Sequence, residues 1–435
     1  MRVLLHTHAT AGARTGIGHY TAELLAALAD TPGVRVFPYP NPWFARLRER
    51  LGGGRPPAGW DGGTAVVAAP GAPPKDYRFT LRHVVRTPLR LGWRLVMAAY
   101  LRAAFDPRLV DLYHEPNYFP LRTRLPIVVT VHDLSAVLHP EWHPAGRVAL
   151  FEREFLPRVR QFAHVLTVSD AARAEIIRTF NLPPERVTRA YNGVRSGLRP
   201  RMAVEIVPTL QRLGLPSAYL LHVGTLEPRK NLLMLLKAYV ALPAELRGQC
   251  PLVLVGPWGW RFEELAGYYE SEAKHRNVIH LGYVSEADLP AVYAGARALV
   301  FPTWYEGFGM PAAEMLACGG AVLASATPAL SEVLGGCGFR IDPADADGWH
   351  VAMQRAITDD DWLNSLRTGA VDRAAEFTWA NCARDTVVGY AAALGKREST
   401  FHTTTGPTRP DPGGPCGASS TSTTTRPKTS AGPKS

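Results

Sequence analysis

Within FPTWYEGFGMPAAEMLACGG, residues 301–320, two carboxylates, Glu306 and Glu314, stand eight positions apart around a Gly-Phe-Gly turn and Pro311. A short apolar strand over 298–301 feeds a loop, and a helix is expected from about Pro311, because proline's missing N–H is harmless at a first helical position. Gly319-Gly320 marks its end. Free amides and the positive end of a helix dipole then face the loop, a setting that suits phosphate. Glu314, expected in the first helical turn, leans back toward the same cleft. It would repel a phosphate, so its natural partner is a hydroxyl pair such as a ribose. Glu306, just outside the helix, is placed to hold a second set of hydroxyls. Two isolated glutamates would read as a first-turn charge and a solvated loop residue; the turn between them and the strand–loop–helix setting favour a site.

A second loop carries the opposite charge. In HVGTLEPRKNLLMLLKAY, residues 222–239, a strand is expected to end at Gly224 and a helix to begin near Asn231, with Arg229 and Lys230 directly before it. Two cations at a helix N-terminus oppose its dipole, so an anionic ligand is the expected reason for them. With seven lysines against 41 arginines in the chain, Lys230 is hardly a casual surface charge. The two loops together describe a site for a nucleoside diphosphate bearing a hydroxyl-rich group. A glycosidase would also want paired carboxylates, but it would leave Arg229, Lys230 and the helix end without a purpose.

These loops need strands to hold them. RVLLH at 2–6, then the glycine-containing ATAGARTGIGHY, then TAELLAALAD predict strand, loop and helix, with Gly16 and Gly18 either letting backbone approach a ligand or simply making a tight turn. Without the full GxGxxG pattern this is not an NAD site. Further strands are expected at 109–114, 126–133, 164–169 and 187–194, and His114, His132, Asp133 and Asn192 fall at their ends. From about residue 217 the pattern repeats: AYLLHVG, PLVLVG, NVIHLG, ALVFP, AVLAS and GFRID, with helices between most of them. Strands alternating with helices predict two doubly wound parallel sheets, an α/β architecture. The expected division is 1–198, 199–376, a helix over 377–395 packing back toward the first half, and a disordered, polar tail at 396–435. Asp345-Ala-Asp347 and the three aspartates at 359–361 precede expected helices and read as caps rather than metal ligands.

On these residues the chain resembles the family 4 retaining glycosyltransferases of the GT-B fold, two facing Rossmann-like domains, which implies that 1–198 is the acceptor side and 199–376 binds the nucleotide-sugar donor. The matching segments are GTLEPRKN at 224–231, LGYVSEADLPAVYAGARALVFPTWYEGFGMPAAEMLACGG at 281–320, VTVHDL at 129–134 and TGIGHYTAELL at 15–25. The resemblance implies that Glu306 binds the donor sugar and Glu314 the ribose. Lys230 and Arg229 would neutralise the diphosphate, helped by amides of Gly307, Phe308 and Gly309. His132 would contact the sugar at the reacting face, Gly16 would admit the phosphates, and Tyr283 and Val284 would lie near the base. Where many members carry an arginine after the first glycine, this chain has Thr225. The implied chemistry is front-face transfer with retention, needing positioning and charge stabilisation rather than a protein nucleophile, and no metal or other cofactor. The form of the motifs is most similar to bacterial mannosyltransferase-like members, so GDP-mannose is the expected donor, a UDP-hexose the alternative, and a lipid-linked or polysaccharide intermediate the acceptor. An epimerase or phosphorylase on the same scaffold and a non-catalytic nucleotide-sugar-binding protein are the other readings; the presence of Glu306, Lys230 and His132 together disfavours the last.

Composition bounds the rest. Residues 1–198 hold 26 basic and 15 acidic side chains, residues 199–395 hold 16 and 21, so the first half is the one expected to meet an anionic surface or acceptor. Within it, Arg82, Arg86, Arg90 and Arg94 recur along one face of an expected helical segment at 81–105 with a break at Pro88, suited to anionic lipid, or else a solvated face of an ordinary packed helix. No RNA-binding motif accompanies the basic charge, and nucleic acid is not an expected partner. The N-terminus reads as a strand rather than a signal peptide, and no apolar run reaches the ~20 residues of a membrane span. Five scattered cysteines without a CxxC pair fit a reducing compartment. The expected location is cytoplasmic, peripheral at the inner membrane face.

Overall fold

The computed structural model describes residues 1–10, 16–40 and 109–395. The arginine-bearing segment at 81–105, the tail at 396–435 and Cys416 lie outside the described residues. The other four cysteines are free and buried.

Six parallel strands form the first sheet: β1 (Arg2–His6), β2 (Arg35–Tyr39), β3 (Leu112–Glu115), β4 (Ile127–Val131), β5 (His164–Thr167) and β6 (Val187–Arg189). Their spatial order is β2-β1-β3-β4-β5-β6. Six more form the second: β7 (Leu220–Val223), β8 (Leu252–Val255), β9 (Val278–Gly282), β10 (Ala298–Phe301), β11 (Ala321–Ser325) and β12 (Phe339–Ile341), in the order β12-β11-β10-β7-β8-β9. The central strands are short apolar runs because both faces of each sheet are covered. The first sheet lies between α1 (Gly16–Ala29) on one side, through Tyr20, Leu24 and Leu28, and Phe151, Phe155, Phe162 and Ile176 on the other. Trp349 anchors a core of the second sheet.

The strand at β2 is an addition to the sequence reading. Pro38 hides it in a pattern search, but proline is tolerated at a sheet edge, and β2 is an edge. Gly16 is a correction. It is the first residue of α1 rather than part of a loop, Gly18 lies inside that helix, and a side chain at Gly16 would meet nothing within 4 Å.

Five more helices position the site: α2 (Asp170–Phe180), α3 (Leu232–Val240), α4 (Leu289–Gly295), α5 (Met310–Ala317) and α6 (Ala346–Thr358). The last helix, α7 (Trp379–Ala393), packs on the first sheet beside α1, its Val387 and Tyr390 meeting Val3, Leu112 and Leu166. Its Tyr390 hydroxyl lies 2.7 Å from His114 Nδ1, and burial pushes the His114 imidazole down to about 3. His114 is thus tied into the core beneath the strand ends. Asp345 accepts from Gly348 N at 2.9 Å and Asp359 from Trp362 N at 2.9 Å, both as helix caps. Among the described residues no helix is long and apolar enough to cross a membrane.

Candidate active site

The order of the second sheet reverses between β7 and β10. Ligands of open α/β sheets bind in the crevice outside the carboxyl ends of such strands. The two loops singled out in the sequence leave the sheet there, one after β7 and the other after β10. After β7 the chain makes a single tight turn, Pro228–Lys230, before α3 starts at Leu232. After β10 it crosses to Gly309, whose φ of +100° caps α5 with Pro311 in the first turn. Glycine is needed at that cap, where other residues would be strained.

The loops are stitched together. Trp304 N–H donates to Arg229 O at 2.9 Å. The Thr303 hydroxyl lies 3.0 Å from Arg229 O, Tyr305 O and Glu306 Oε1, and shares its single proton among these acceptors. Their charged groups then meet directly. Lys230 Nζ lies 2.6 Å from Glu306 Oε1, and Arg229 Nη1 2.8 Å from Glu306 Oε2. Arg229 also forks onto Glu227 Oε1 through Nε and Nη2, and Lys230 sits 4.7 Å over the ring of Phe301. Burial alone would raise the Glu306 carboxyl; the Arg229 guanidinium and Lys230 ammonium outweigh it and hold the group below its ordinary range. Glu306, assigned to the sugar, and Lys230 and Arg229, assigned to the diphosphate, therefore form with Glu227 one buried cluster whose charges cancel. Thr225 carries no charge into it; its methyl group packs toward Gly259.

Glu314 departs from the sequence reading. It lies one residue beyond the first turn of α5, is 1% exposed, and faces Arg195 and Tyr293 of α4. Arg195 Nε is 2.9 Å from Glu314 Oε1, close but not aligned as a hydrogen bond, and the Tyr293 hydroxyl donates to Oε2 at 2.7 Å. Burial lifts this carboxyl above its ordinary range, with Arg195 and Tyr293 pulling it back. Arg195→Ala would remove the ion pair, so the folded-state pKa would rise further. A raised carboxyl costs stability as pH climbs from the unfolded value of about 4.3 to the folded one. The variant is therefore expected to match the wild type near pH 4 and to fall about 2–3 kcal/mol below it at neutral pH. That is under the 3–5 of a fully buried pair because the Arg195 side chain is 28% exposed. Denaturant melts across pH check this, and a gap independent of pH would refute it.

The first half contributes at the end of β4. His132 is half-buried there, its Nε2 donating to Pro116 O at 2.9 Å, with Tyr20 at 4.7 Å edge-on. Burial lowers its pKa, so the ring is neutral. Its carbonyl faces Gly307: a Cβ on Gly307 would fall 1.7 Å from His132 O. Ser169 donates to Gly307 O at 2.6 Å, the Tyr305 hydroxyl bonds Glu175 and accepts from Leu134 N–H at 3.0 Å, and Glu332 accepts the N-terminal amides of α2 at 2.7 and 2.9 Å. The loop bearing Glu306 is thus clamped between the halves. Phe308 offers only its backbone, because its ring packs on Phe377. Of the residues expected near a base, Tyr283 is 53% exposed just beyond β9, whereas Val284 is turned into the core. Gly16 is not among the residues that these contacts bring together. Asp133, Glu227, Thr303, Arg195 and Tyr293 were given no role in the sequence reading; only Asp133, at a strand end, and Glu227, inside the cationic motif, carried a local signal.

Residues 211–373 match the family pattern described as glycosyl transferases group 1, and residues 14–197 that of Glycosyltransferase Family 4. O-antigen chain mannosyltransferase B of Escherichia coli is 38% identical over 280 residues, 64% of this chain and 74% of that protein. The serotype-specific mannosyltransferase WbdA of Escherichia coli is 29% identical over 63% of this chain, which spans only 34% of that longer protein. Among solved structures, sucrose-phosphate synthase from Thermosynechococcus elongatus superposes with a TM-score of 0.64 at 20% identity, covering 91% of this chain and 99% of its own. HepE of Anabaena, solved with UDP-glucose, gives 0.61 at 18% identity, covering 90% and 100%.

Proposed function

The chain belongs to glycosyltransferase family 4, and from that membership we propose that it moves mannose, with retention, from GDP-mannose to a lipid-linked or polysaccharide acceptor. Glycosyl transfer is the activity of the family, and the O-antigen mannosyltransferase among its relatives supports glycan synthesis as the setting. The choice of mannose is supported by the 38% identical mannosyltransferase. The observation that carries the site is the Arg229–Lys230–Glu306 cluster at the β7/β10 crevice beside the amide end of α5. A diphosphate entering there takes the two cations as partners and frees the Glu306 carboxylate for the hydroxyls of the sugar. The acceptor oxygen attacks the anomeric carbon on the face the diphosphate leaves. That bond breaks with its electron pair going to the phosphate oxygen, which takes the acceptor proton. Arg229, Lys230 and the α5 amides stabilise the departing charge without reorganisation. They supply the positive charge a divalent cation would otherwise bring, which supports a metal-independent reaction. Glu314 and Arg195 form the wall proposed for the ribose. Residence at the inner membrane face, through residues 81–105, belongs to the same proposal.

A panel of GDP-, UDP- and ADP-sugars, with and without a lipid acceptor extract, tests this by nucleotide release. GDP-mannose is expected to turn over fastest, to survive EDTA, and to give an α-linked product. Turnover with none of them would sink the transferase reading; a UDP-hexose turning over instead would replace the donor.

A further inference from the structure

An imidazole lies beneath the phosphate clamp. His222 is the third residue of β7, 0% exposed, in a strand otherwise made of Leu220, Leu221 and Val223. Its Nδ1 is 3.0 Å from Val300 O of the neighbouring strand β10. A carbonyl only accepts, so the proton sits on Nδ1 and Nε2 carries a lone pair. Burial pushes the ring down to about 4, which keeps it neutral and Nε2 an acceptor. That Nε2 is buried and has no hydrogen-bond partner among the described residues. A buried acceptor left unpaired is costly.

The unpaired nitrogen borders the same small space as Lys230. Gly224 has a φ of +150°, and a Cβ on it would be 3.5 Å from Lys230 Cε, 3.7 Å from His222 Nε2 and 3.8 Å from Lys230 Nζ. These are ordinary contacts, so the glycine forms a cradle that a single heavy atom would fill, with a lone pair on one side and an ammonium on the other. Both groups also rest on one ring. His222 stacks on Phe301 with centroids 5.7 Å apart and planes 26° apart, and Lys230 Nζ stands 4.7 Å over the same ring. An ammonium has three N–H groups, and the hydrogen bond to Glu306 Oε1 at 2.6 Å uses one. A polar niche bordered by a donor and an acceptor suits a buried water.

We propose that His222 is a positioning residue for Lys230: a water over Gly224 accepts from Nζ and donates to His222 Nε2, holding the ammonium toward the diphosphate once donor binding has drawn it off Glu306. The inference rests on the transferase reading and adds a residue to its phosphate clamp. Lysine is a point charge on a flexible four-carbon stem. When the Glu306 carboxylate turns to the sugar hydroxyls, Lys230 loses the partner that fixes it, and the contact through the water stays. The water keeps its second proton for an oxygen of the departing phosphate. A neutral imidazole suits this place, because a cation there would repel Lys230. The other charges facing Lys230 are Glu306 from the loop after β10 and Arg229 and Glu227 from its own loop; those facing His222 are Lys230 and Glu306.

The test uses the full chain with GDP-mannose and a lipid acceptor extract, read as GDP release. His222→Phe keeps the stacking on Phe301 and removes the acceptor. It is expected to lower kcat about tenfold, as for one hydrogen bond lost from a charged group, with KM for GDP-mannose within about threefold. A hydrogen bond accepted from an ammonium favours the charged form, so without it the Lys230 pKa falls and the alkaline limb of kcat moves down by about one pH unit. His222→Gln supplies an amide oxygen as acceptor and an N–H for Val300 O, and is expected to bring both back. In a Lys230→Ala background, His222→Phe should cost less than about twofold more. A full further loss in that background, an unmoved alkaline limb, or a His222→Gln no better than His222→Phe each overturn the proposal. Should His222→Phe not fold, nitrogen NMR of the histidine-labelled wild type decides. The Nε2 resonance of His222, identified by its loss in His222→Gln, should shift on Lys230→Ala, and an unmoved resonance overturns the proposal. A wild type that neither binds nor turns over any nucleotide-sugar fails the transferase reading and this inference with it, whereas turnover unaltered by His222→Phe fails the positioning role alone.

Discussion

Lys230→Ala is expected to lower kcat by about 10²–10³, the usual cost of losing one preorganised charge partner of a transition state, while the protein stays folded. Glu306 then keeps Arg229 at 2.8 Å, so no buried charge is stranded. Glu306→Ala should behave differently. It leaves Arg229 with Glu227 but strips Lys230, 6% exposed, of its only carboxylate at ion-pair distance among the described residues. Unfolding free energy should fall by about 3–5 kcal/mol, as when one member of a buried pair is removed. The double variant Lys230→Met/Glu306→Gln separates the two roles. It should recover most of that stability, because neither charge remains, and none of the activity. The pair also sets an acid limit. Glu306 is held below its ordinary range, so its contribution is complete above about pH 4.3 and disappears as pH falls through the lowered value. Acid unfolding of Lys230→Met/Glu306→Gln should accordingly be less steep than that of the wild type. Full activity in Lys230→Ala would remove the lysine from the phosphate clamp.

Much of this arrangement was legible in the sequence because it is local. The strands of the second half are apolar runs set between helical patterns, and each chemistry-bearing loop begins within a few residues of a strand end. The cap at Gly309 and the glycine stop after α5 follow from residue type alone. What the sequence could not show are contacts between distant residues. Arg195 meets Glu314, and Tyr305 meets Glu175, with 130 positions between the latter two; no spacing rule states such a pair. In sequence, Glu306 and Lys230 stand 76 positions apart and read as separate contacts, one for the sugar and one for the phosphate. Folding places them 2.6 Å apart, since the crevice between β7 and β10 draws both loops to one point. β2 was obscured for a different reason, a proline whose penalty vanishes at a sheet edge.

Gly307→Ala is the substitution expected to do most damage for its size. Its new Cβ would lie 1.7 Å from His132 O, 2.8 Å from His132 C and 3.1 Å from Asp133 Cβ. The first two are backbone atoms on the opposite half, so no rotamer change relieves the clash, and the halves must part by on the order of 1 Å. Displacements of that size cost about 10² in rate when reacting groups are held for attack. Apart from Val168 and its partly buried neighbours at the seam, the cores of the two sheets are distinct, so most of each core should remain intact and Tm should move by only a few degrees. Nucleotide affinity should also be largely kept, because Arg229 and Lys230 sit within the second half. The expected pattern is thus near-wild-type GDP binding with kcat reduced by about 10² or more. Gly267→Ala, where a methyl group meets nothing within 4 Å, serves as the control with unchanged kinetics. If Gly307→Ala kept its full rate, the close approach of His132 to the Glu306 loop would not be part of the working geometry. If instead it lost nucleotide binding in proportion, the damage would lie in the donor loop itself rather than between the halves.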